Sequence, residues 1–297
     1  MQIQFNLVDV FADRPLTGNP LAVVSQADGL DDTTMQGIAR ELHQAETSFL
    51  QAPTRTAADW RLRSFTSSGI EVFGAGHNSL GAWWWLAESG LLSLDEGRTI
   101  FTQEIGDRLL AVAIDRREHR LQWVTLTQAR PAYGRVCEDL PALAGALGLK
   151  ETDFAPELLP AQTVSTGAPH LLVPVRDRAV VERATPDPPR LTRVLENAGA
   201  EGCYLFSLDP VSPSAIAHAR FFNPTVGLFE DSATGSAAGP LACQLIARGV
   251  AREDAMIAIE QGYEMGRPSL LRVHAQDGLV QLSGRCVTVA QGTLRVG

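Results

Sequence analysis

The stretch ARFFNPTVGLFEDSATGSAAG, residues 219–239, places two acidic side chains directly before a turn of small residues. The acids are Glu230 and Asp231, and the turn begins at Thr234. The apolar residues that follow predict a helix over 235–248, whose first-turn N–H groups have no acceptors within the helix. Because small side chains let a ligand approach those groups, the stretch predicts an anion-binding helix N-terminus beside a proton-transferring acid.

A weaker copy of this stretch lies earlier in the chain. Residues 65–90 read FTSSGIEVFGAGHNSLGAWWWLAESG and align with residues 222–249. Four identities recur at a constant separation of 159 positions (230 minus 71, for example): Glu71 and Glu230, Gly76 and Gly235, Leu86 and Leu245, Gly90 and Gly249. A second echo, TGNP at 17–20 and TGAP at 166–169, occurs in the same order. Two echoes in one order predict a duplicated domain.

Length and charge narrow the class of protein. A chain of 297 residues favours two domains, and we expect them at 1–128 and 129–297, with the last strand free to return to the first domain. The formal charge of −9 argues against nucleic-acid or anionic-membrane partners, since both attract basic surfaces. Apolar runs are too short for a membrane span of about 20 residues. The chain opens on an alternating strand pattern without an export signal, which predicts a cytoplasmic protein.

The cysteines and histidines lack the sequence spacing of metal ligands, and the motifs that bind nucleotides are missing. The four cysteines are far apart and form no C-x-x-C pair, which predicts buried, reduced thiols rather than disulfides. The six histidines show no metal-ligand spacing, and the sequence contains neither a glycine-rich dinucleotide fingerprint nor a P-loop lysine. The sequence therefore predicts neither a metal nor a nucleotide cofactor.

Three consecutive tryptophans, residues 83–85, lie in a predicted helix over 76–88. At about 100° per residue they cannot share one face, so together they require burial around more than half of the helix. A half-buried helix with one exposed tryptophan is the alternative. The helix at 235–248 is similarly apolar. We therefore predict an α+β fold of two pseudo-symmetric domains, each a curled mixed β-sheet wrapped round a central helix.

Two local expectations concern helix ends. A first helix is predicted over 31–42, with Asp31 or Asp32 as its N-cap. Pro240 lies inside the predicted helix at 235–248, where it cannot donate to the Ser236 carbonyl. It therefore predicts a kink or a delayed start of that helix.

Six stretches, taken together and in order, resemble the phenazine-biosynthesis isomerase (PhzF-like) family. They are VDVFADRPLTGNPLAVV (8–24), AETSFL (45–50), GHNSLG (76–81), STGAPHLLVPV (165–175), FFNPTVGLFEDSATGSAAGPLA (221–242) and QGYEMGRPS (261–269). The resemblance implies a diaminopimelate-epimerase-like fold with the site in the cleft between two similar domains, and a homodimer. Racemases of that superfamily use two cysteines at facing helix N-termini. The corresponding turns here, 75–78 and 233–236, contain no cysteine, so carboxylate-based proton transfer is expected instead.

The resemblance also implies roles for three titratable residues. Glu46 would be the main acid/base that shuttles a proton between substrate carbons, and Asp231 would face it across the cleft. A desolvated carboxylate with a raised pKa suits that task, as does a pair of carboxylates that share one proton. His77 would polarise the substrate or relay protons. The structural alternatives are a solvated Glu46 at a strand entry, Asp231 or Ser232 as a helix cap, and a structural His77.

Four residues are predicted to bind a small carboxylate-bearing metabolite. Ser236, with the backbone of Gly235 and Gly76, would form the carboxylate seat, and Asn19 would hold a polar group. The alternatives are close packing of small residues and, for Asn19, a plain turn before proline. Residues His170, Glu71 and Glu230 are interpreted as structural or left without a role.

Departures from the family pattern leave the substrate open. Ser67 and Ser232 stand where the family usually has proline, and Asn78 and Ser79 where alanine and threonine are common. The leading hypothesis is a cofactor-independent isomerase of the PhzF-like type that acts by proton transfer. The alternatives are a racemase or epimerase of an amino or hydroxy acid that uses two carboxylates, and a catalytically silent protein that binds small anions.

Overall fold

The computed structural model describes residues 1–296 of the chain, which divide into two compact units. The first unit comprises Met1–Thr127 and residues 283–296, and the second comprises Gln128–Leu282. The C-terminal segment thus groups with the N-terminal part of the chain. The division of the chain into domains at 1–128 and 129–297 stays a prediction.

The elements alternate between strands and a smaller number of helices. Up to residue 128 they are β1 (Gln2–Val10), β2 (Asn19–Val24), α1 (Asp32–Leu42), β3 (Glu46–Gln51), β4 (Trp60–Thr66), β5 (Glu71–Val72), α2 (His77–Glu88), β6 (Gly97–Ile105), β7 (Arg108–Arg117) and β8 (Arg120–Gln128). They continue with β9 (Ala132–Val136), α3 (Leu140–Leu147), β10 (Gln162–Ser165), β11 (Pro169–Pro174), α4 (Arg178–Arg183), α5 (Pro188–Ala198), β12 (Gly202–Ser207), β13 (Ala217–Asn223), β14 (Leu228–Asp231), α6 (Gly235–Ala247), β15 (Met256–Gln261), β16 (Ser269–Gln276), β17 (Leu279–Gly284) and β18 (Cys286–Arg295). The mixture of strands and helices confirms the α+β class.

The first unit is a mixed sheet with a helix on each face. Strand β2 pairs antiparallel with β1 and parallel with β3, while β4 pairs antiparallel with β3 and parallel with β6. The last strand, β18, returns to pair antiparallel with β1. On one face, Met35 of α1 shares a buried cluster with Phe49 and Phe65. On the other, Leu21 and Val10 pack against Gly81 of α2.

The second unit repeats this arrangement. Strand β11 pairs antiparallel with β10 and parallel with β12, while β13 pairs antiparallel with β12 and parallel with β15. Helices α3, α4 and α5 contribute to one apolar cluster, and α6 packs against β10, β11 and β16. The registers also correspond: Leu21 lies opposite Glu46 in the first unit, and His170 lies opposite Gly202 in the second.

Two equivalent ion pairs, one in each unit, support the duplication. Arg63 donates to both carboxylate oxygens of Glu71, at 2.7 and 2.6 Å. Arg220 donates to both oxygens of Glu230, at 2.8 and 2.9 Å. Because Glu71 and Glu230 are one of the pairs that the sequence comparison aligns, the two units are copies of one scaffold down to individual side-chain contacts.

A second pair of glutamates repeats in the same way. Glu104 on β6 accepts hydrogen bonds from the backbone N–H groups of residues 54 and 55. Glu260 on β15 accepts from the N–H groups of residues 211 and 212. Each buried carboxylate therefore secures the loop that precedes the neighbouring parallel strand, β4 in one unit and β13 in the other.

The two central helices are buried almost all round, as the tryptophans predict. Trp83 is fully buried and Trp84 is 7% exposed, while Trp85 is half-buried. The Trp83 indole N–H donates to Gln103 Oε1 at 2.9 Å, which satisfies its polar atom inside the core. The alternative of a half-buried helix is therefore wrong.

Helix ends follow the sequence with one exception. Asp31 caps α1 by accepting from Thr34 N. Helix α6 begins at Gly235 and runs through Pro240, so the delayed start is wrong, while the kink, the other expected effect, stays a prediction. The amides of Ala237 and Ala238 already bond to Thr234 O, and the proline withholds only a bond to a first-turn carbonyl.

All four cysteines are free; Cys137 is half-buried and Cys203, Cys243 and Cys286 are buried. Among residues 1–296, no helix combines the length and apolar character that crossing a membrane requires.

Candidate active site

Glu46, the predicted acid/base, is the first residue of β3. It lies beside Leu21 in the parallel β2–β3 pair, and Leu21 packs against Gly81 of α2. Laterally paired residues share one face of a sheet, so the Glu46 side chain projects on the α2 side. One of its carboxylate oxygens, Oε2, is buried. The structure therefore holds this carboxylate partly out of water, on the face that carries the central helix.

His77 is the first residue of α2, on the same face. Ser48, two residues beyond Glu46, donates to the carbonyl of Asn78, which follows His77, at 3.4 Å. The His77 Nε2 atom is buried and has no hydrogen-bond partner among residues 1–296. Burial lowers the pKa of His77 to about 4, so its imidazole is neutral near pH 7. A neutral ring offers one donor and one acceptor.

Asn78 occupies the backbone groups at the start of α2. Its Oδ1 accepts from the amides of Gly76 and Ser79, both at 2.8 Å, and its Nδ2 donates to Gly74 O at 2.9 Å. The Gly76 N–H, predicted to bind a substrate carboxylate, is thus already hydrogen-bonded within the protein. The sequence shows Asn78 as a departure from the family pattern, but its consequence depends on this geometry.

Asn19 opens β2 at the end of a tightly built loop. It is only 1% exposed. The preceding residue, Gly18, has a φ of +70°, and a Cβ there would lie 2.3 Å from the carbonyl oxygen of Val10, so only glycine fits. Asp9 Oδ2 accepts from Leu16 N at 2.7 Å and ties the loop to β1. Asn19 is therefore held in place by the fold, in the first unit with Glu46 and His77.

Asp231 ends β14 in the second unit. Its Oδ2 accepts from the hydroxyl of Thr234 at 2.6 Å, and its carbonyl accepts from Gln261 Nε2 at 2.7 Å. The N-cap of α6 is Thr234, not Asp231 or Ser232 as the structural alternative supposed. The Thr234 hydroxyl thus orients the Asp231 carboxylate instead of capping the helix.

The first turn of α6 carries the predicted anion seat. The amides of Gly235 and Ser236 precede the first bonds of the helix, which run from Ala237 and Ala238 to Thr234 O. The half-buried Ser236 places its Oγ 2.9 Å from His170 Nε2. In this unit, therefore, Asp231, Gly235 and Ser236 lie within six residues of chain around one helix N-terminus.

His170 is the neighbour that sequence reasoning left without a role. It is 2% exposed, and its ring packs edge-to-face on Phe221 with centroids 4.9 Å apart. Burial lowers its pKa to about 4. The stretch STGAPH, which is part of the family resemblance, contains this histidine. Only the folded chain shows that the histidine contacts Ser236, which lies 66 residues away in sequence.

Comparison with known proteins identifies the family of this chain. The sequence model of the family described as "Phenazine biosynthesis-like protein" matches residues 8–292. The trans-2,3-dihydro-3-hydroxyanthranilate isomerase of Pseudomonas chlororaphis is 33% identical over 293 residues, which cover 97% of this chain and 98% of that protein. The YfhB protein of Bacillus subtilis, named as an uncharacterized isomerase, is 32% identical over 91% of this chain and 89% of its own.

Solved structures agree on the fold. A phenazine biosynthesis protein of the PhzF family from Bacillus anthracis has a TM-score of 0.89 at 27% identity and covers 100% of both chains. A probable proline racemase from Agrobacterium radiobacter K84 has a TM-score of 0.66 at 15% identity, covering 99% of this chain and 93% of that one, which shows a shared fold alone. The epimerase-like fold is thereby confirmed. The chain belongs to the phenazine biosynthesis-like family and is an isomerase of the PhzF type.

Proposed function

We propose that this isomerase moves a proton between two carbons of a small carboxylate-bearing substrate, with Glu46 as the acid/base and without a cofactor. The observation that carries the proposal is the placement of Glu46 on the α2 face of the first unit, with Oε2 buried and the neutral His77 on the same face. Carboxylates serve as base and then as acid in such transfers when they are within hydrogen-bond reach of the carbon-bound proton.

The reaction is a balanced proton shift. Glu46 removes a proton from a carbon activated by an adjacent double bond or carboxylate, and the C–H electron pair enters the neighbouring π system. Protonated Glu46 then returns the proton to another carbon. The double bond moves, and no oxidant or reductant takes part. Asp231 and His77 assist as a second acid/base group and as a neutral hydrogen-bonding partner.

The substrate carboxylate is proposed to bind at the first turn of α6. The amides of Gly235 and Ser236 and the Ser236 hydroxyl are donors suited to an anion at the positive end of the helix dipole. Asn19 contributes a polar contact in the first unit. Gly76 joins the seat only if Asn78 releases its N–H, so we assign Gly76 the smaller part.

The relative from Pseudomonas chlororaphis supplies the test compound. Its name specifies trans-2,3-dihydro-3-hydroxyanthranilate, a small unsaturated carboxylic acid. We propose that this chain acts on a compound of that chemical class. The family fold is shared with a probable proline racemase, so solvent-deuterium labelling must separate a double-bond shift from inversion at a stereocentre.

The experiment compares Glu46→Gln with wild type on trans-2,3-dihydro-3-hydroxyanthranilate in deuterated water, followed by NMR. The wild type should shift the double bond, and the variant should fold normally and lose at least about 10²-fold in turnover. Glu41→Gln, on the exposed side of α1, is the matched control and should keep full turnover. Unchanged turnover in Glu46→Gln would remove Glu46 from the mechanism, and deuterium at a stereocentre without a bond shift would replace isomerisation by epimerisation.

We also propose an oligomeric state, which the family resemblance implies, and a cellular location, which the sequence pattern implies. We propose a homodimer, for which light scattering after size-exclusion chromatography should give twice the 32.0 kDa of one chain. We also propose that the protein works in the cytoplasm, which cell fractionation tests directly.

A further inference from the structure

The buried His170 forms a hydrogen bond with the half-buried Ser236, and the proposed mechanism gives a role to the serine but none to the histidine. The Ser236 Oγ to His170 Nε2 distance is 2.9 Å. We propose that His170 is a positioning residue: its Nε2–H donates to Ser236 Oγ, which fixes the serine rotamer and leaves the serine proton free for the substrate carboxylate. The inference rests on the proposed role of Ser236 in binding that carboxylate.

The tautomer follows from the environment of the other ring nitrogen. His170 Nδ1 is buried and has no hydrogen-bond partner among residues 1–296. A neutral imidazole carries its proton on one nitrogen only. A proton on Nδ1 would be a buried donor without an acceptor, whereas a proton on Nε2 is used by Ser236 Oγ and leaves only a lone pair unmatched. Both arrangements make the hydrogen bond between the two side chains, but the second avoids a buried N–H group without an acceptor, and orphaned donors are rarer in proteins than unmatched acceptors.

This direction of donation decides what Ser236 can do. A hydroxyl has one proton and two acceptor lone pairs. If it accepts from His170, its own proton can point to an anion at the α6 N-terminus. If it donated to His170 instead, only lone pairs would face that anion. The neutral ring therefore suits an anion-binding serine, and burial keeps the ring neutral at pH values well above 4.

The surroundings hold the imidazole in this position. Phe221 packs against it at 4.9 Å, and the aromatic ring fills the space over Gly202, where a Cβ would lie 2.4 Å from Phe221 Cζ. Gly202 lies directly opposite His170 in the β11–β12 pair. The Phe221 ring therefore packs against His170 and restricts its movement, and the ring fits there only because residue 202 on the neighbouring strand is glycine.

The duplicated scaffold does not require a histidine here. In the first unit the equivalent position is Leu21, which lies opposite Glu46 and packs against Gly81. An apolar residue therefore serves the packing role in the other copy. In the second unit, His170 has a hydrogen-bond partner on the central helix α6, Ser236. The apolar Leu21 of the first unit can make no such bond.

The tautomer can be measured without substrate. Long-range ¹H–¹⁵N spectra of the histidine rings in the wild-type protein at pH 7 should assign His170 to the Nε2–H form, with Nδ1 unprotonated. His170→Gln identifies the signals by their loss. An Nδ1–H tautomer, or a ring that exchanges between the two forms, would overturn the proposal.

The functional test separates positioning from packing. His170→Leu keeps apolar bulk and copies the first unit, so the variant should remain folded, while KM for trans-2,3-dihydro-3-hydroxyanthranilate rises about tenfold with a smaller change in kcat. His170→Gln can place an amide N–H near the former Nε2 position and should restore KM to within about threefold of wild type. Thermal unfolding of each variant shows whether stability and KM change together.

A double variant identifies the route. If His170 acts through Ser236, His170→Leu in a Ser236→Ala background should add no further increase in KM. A full additive increase, or a KM unchanged in His170→Leu while Ser236→Ala raises it, would overturn positioning alone. A KM unchanged in Ser236→Ala would overturn the proposed role of Ser236 and the positioning role with it, whereas the Glu46→Gln result is independent of both.

Discussion

Arg63 and Arg220 hold the same position in the two units: each donates two parallel hydrogen bonds to a glutamate and lies over the ring of the phenylalanine two residues further along. The equivalence extends the sequence alignment to side-chain geometry. The surroundings differ, however, because Arg220 also donates to three backbone carbonyls, of Val181, Glu182 and Ala184.

Replacement of Arg220 by methionine should destabilise the protein strongly. The substitution leaves the buried Glu230 carboxylate and three carbonyl groups without their cation, and losing one partner of a buried pair costs about 3–5 kcal/mol. Arg63→Met is the matched control. Its pair with Glu71 and Asp32 is more exposed, so about 1–2 kcal/mol is expected. Urea unfolding measures the loss of unfolding free energy in each variant. An equal loss in the two variants, or a larger loss in Arg63→Met, would contradict the conclusion that the Arg220 ion pair is the more buried and more stabilising one.

Gly81 on α2 should not tolerate alanine. A Cβ there would lie 2.7 Å from methyl carbons of both Leu21 and Val10, which are fully buried. Overpacking of this kind costs about 1–3 kcal/mol and would displace α2 from the strand that neighbours Glu46.

Gly37 on α1 provides the opposite case. A Cβ there meets nothing within 4 Å, so Gly37→Ala should stabilise the protein by about 0.5–1 kcal/mol through helix propensity. Unfolding free energies of the two variants should therefore have opposite signs. A neutral Gly81→Ala would show that Leu21 and Val10 repack freely beneath α2.

His218 should make stability depend on pH in the alkaline range. Burial acts to lower the pKa of this histidine, but hydrogen bonds to Glu260 at 2.7 Å and Glu264 at 2.8 Å outweigh it and raise the pKa to about 9. The folded-state pKa lies above the unfolded value of about 6.5, so the stabilisation is fully present below that pH and is lost as pH rises through 9. The slope contributed is at most about 1.4 kcal/mol per pH unit.

The measurement is the free energy of unfolding between pH 6.5 and 9.5. His218→Gln should be less stable at pH 6.5 and should lose this slope. His119→Gln, at a site 82% exposed, is the control and should keep the wild-type slope. In the first unit the equivalent carboxylate, Glu104, lies 3.7 Å from an arginine, Arg61, instead of a histidine. The same slope in wild type and His218→Gln would show that His218 is not the titrating group.

Local patterns in the chain predicted the scaffold well. The tryptophans at 83–85 required a helix enclosed on nearly all sides, and the repeat of Glu71 as Glu230 revealed the duplication. Helix periodicity is a property of neighbouring residues, and a repeat is found by aligning the chain with itself, so neither requires knowledge of strand register. The delayed start expected from Pro240 was wrong because the helix start depends on whether the first-turn bonds to Thr234 form without the proline.

The candidate site was predicted less completely, and Asn78 shows why. Its identity was visible as a departure from the family pattern, yet the same residue type could have faced solvent or a ligand. Only its rotamer shows that it takes the Gly76 N–H. His170 is similar, since the stretch around it carried the resemblance while its partner lies on another element.

By itself, the sequence determined that the chain is built twice and which residue types are available for chemistry, because residue identity, periodicity and repeats can be read along the chain without knowledge of strand register. The tertiary structure alone decided which side chains meet: strand register sets His170 opposite Gly202 and beneath Ser236, and sets Leu21 at the matching place beside Glu46. Register is a long-range property that is set by packing across the sheet. For this reason the sequence could not show that the same position of the two copies holds a histidine bonded to Ser236 in one and the apolar Leu21 in the other.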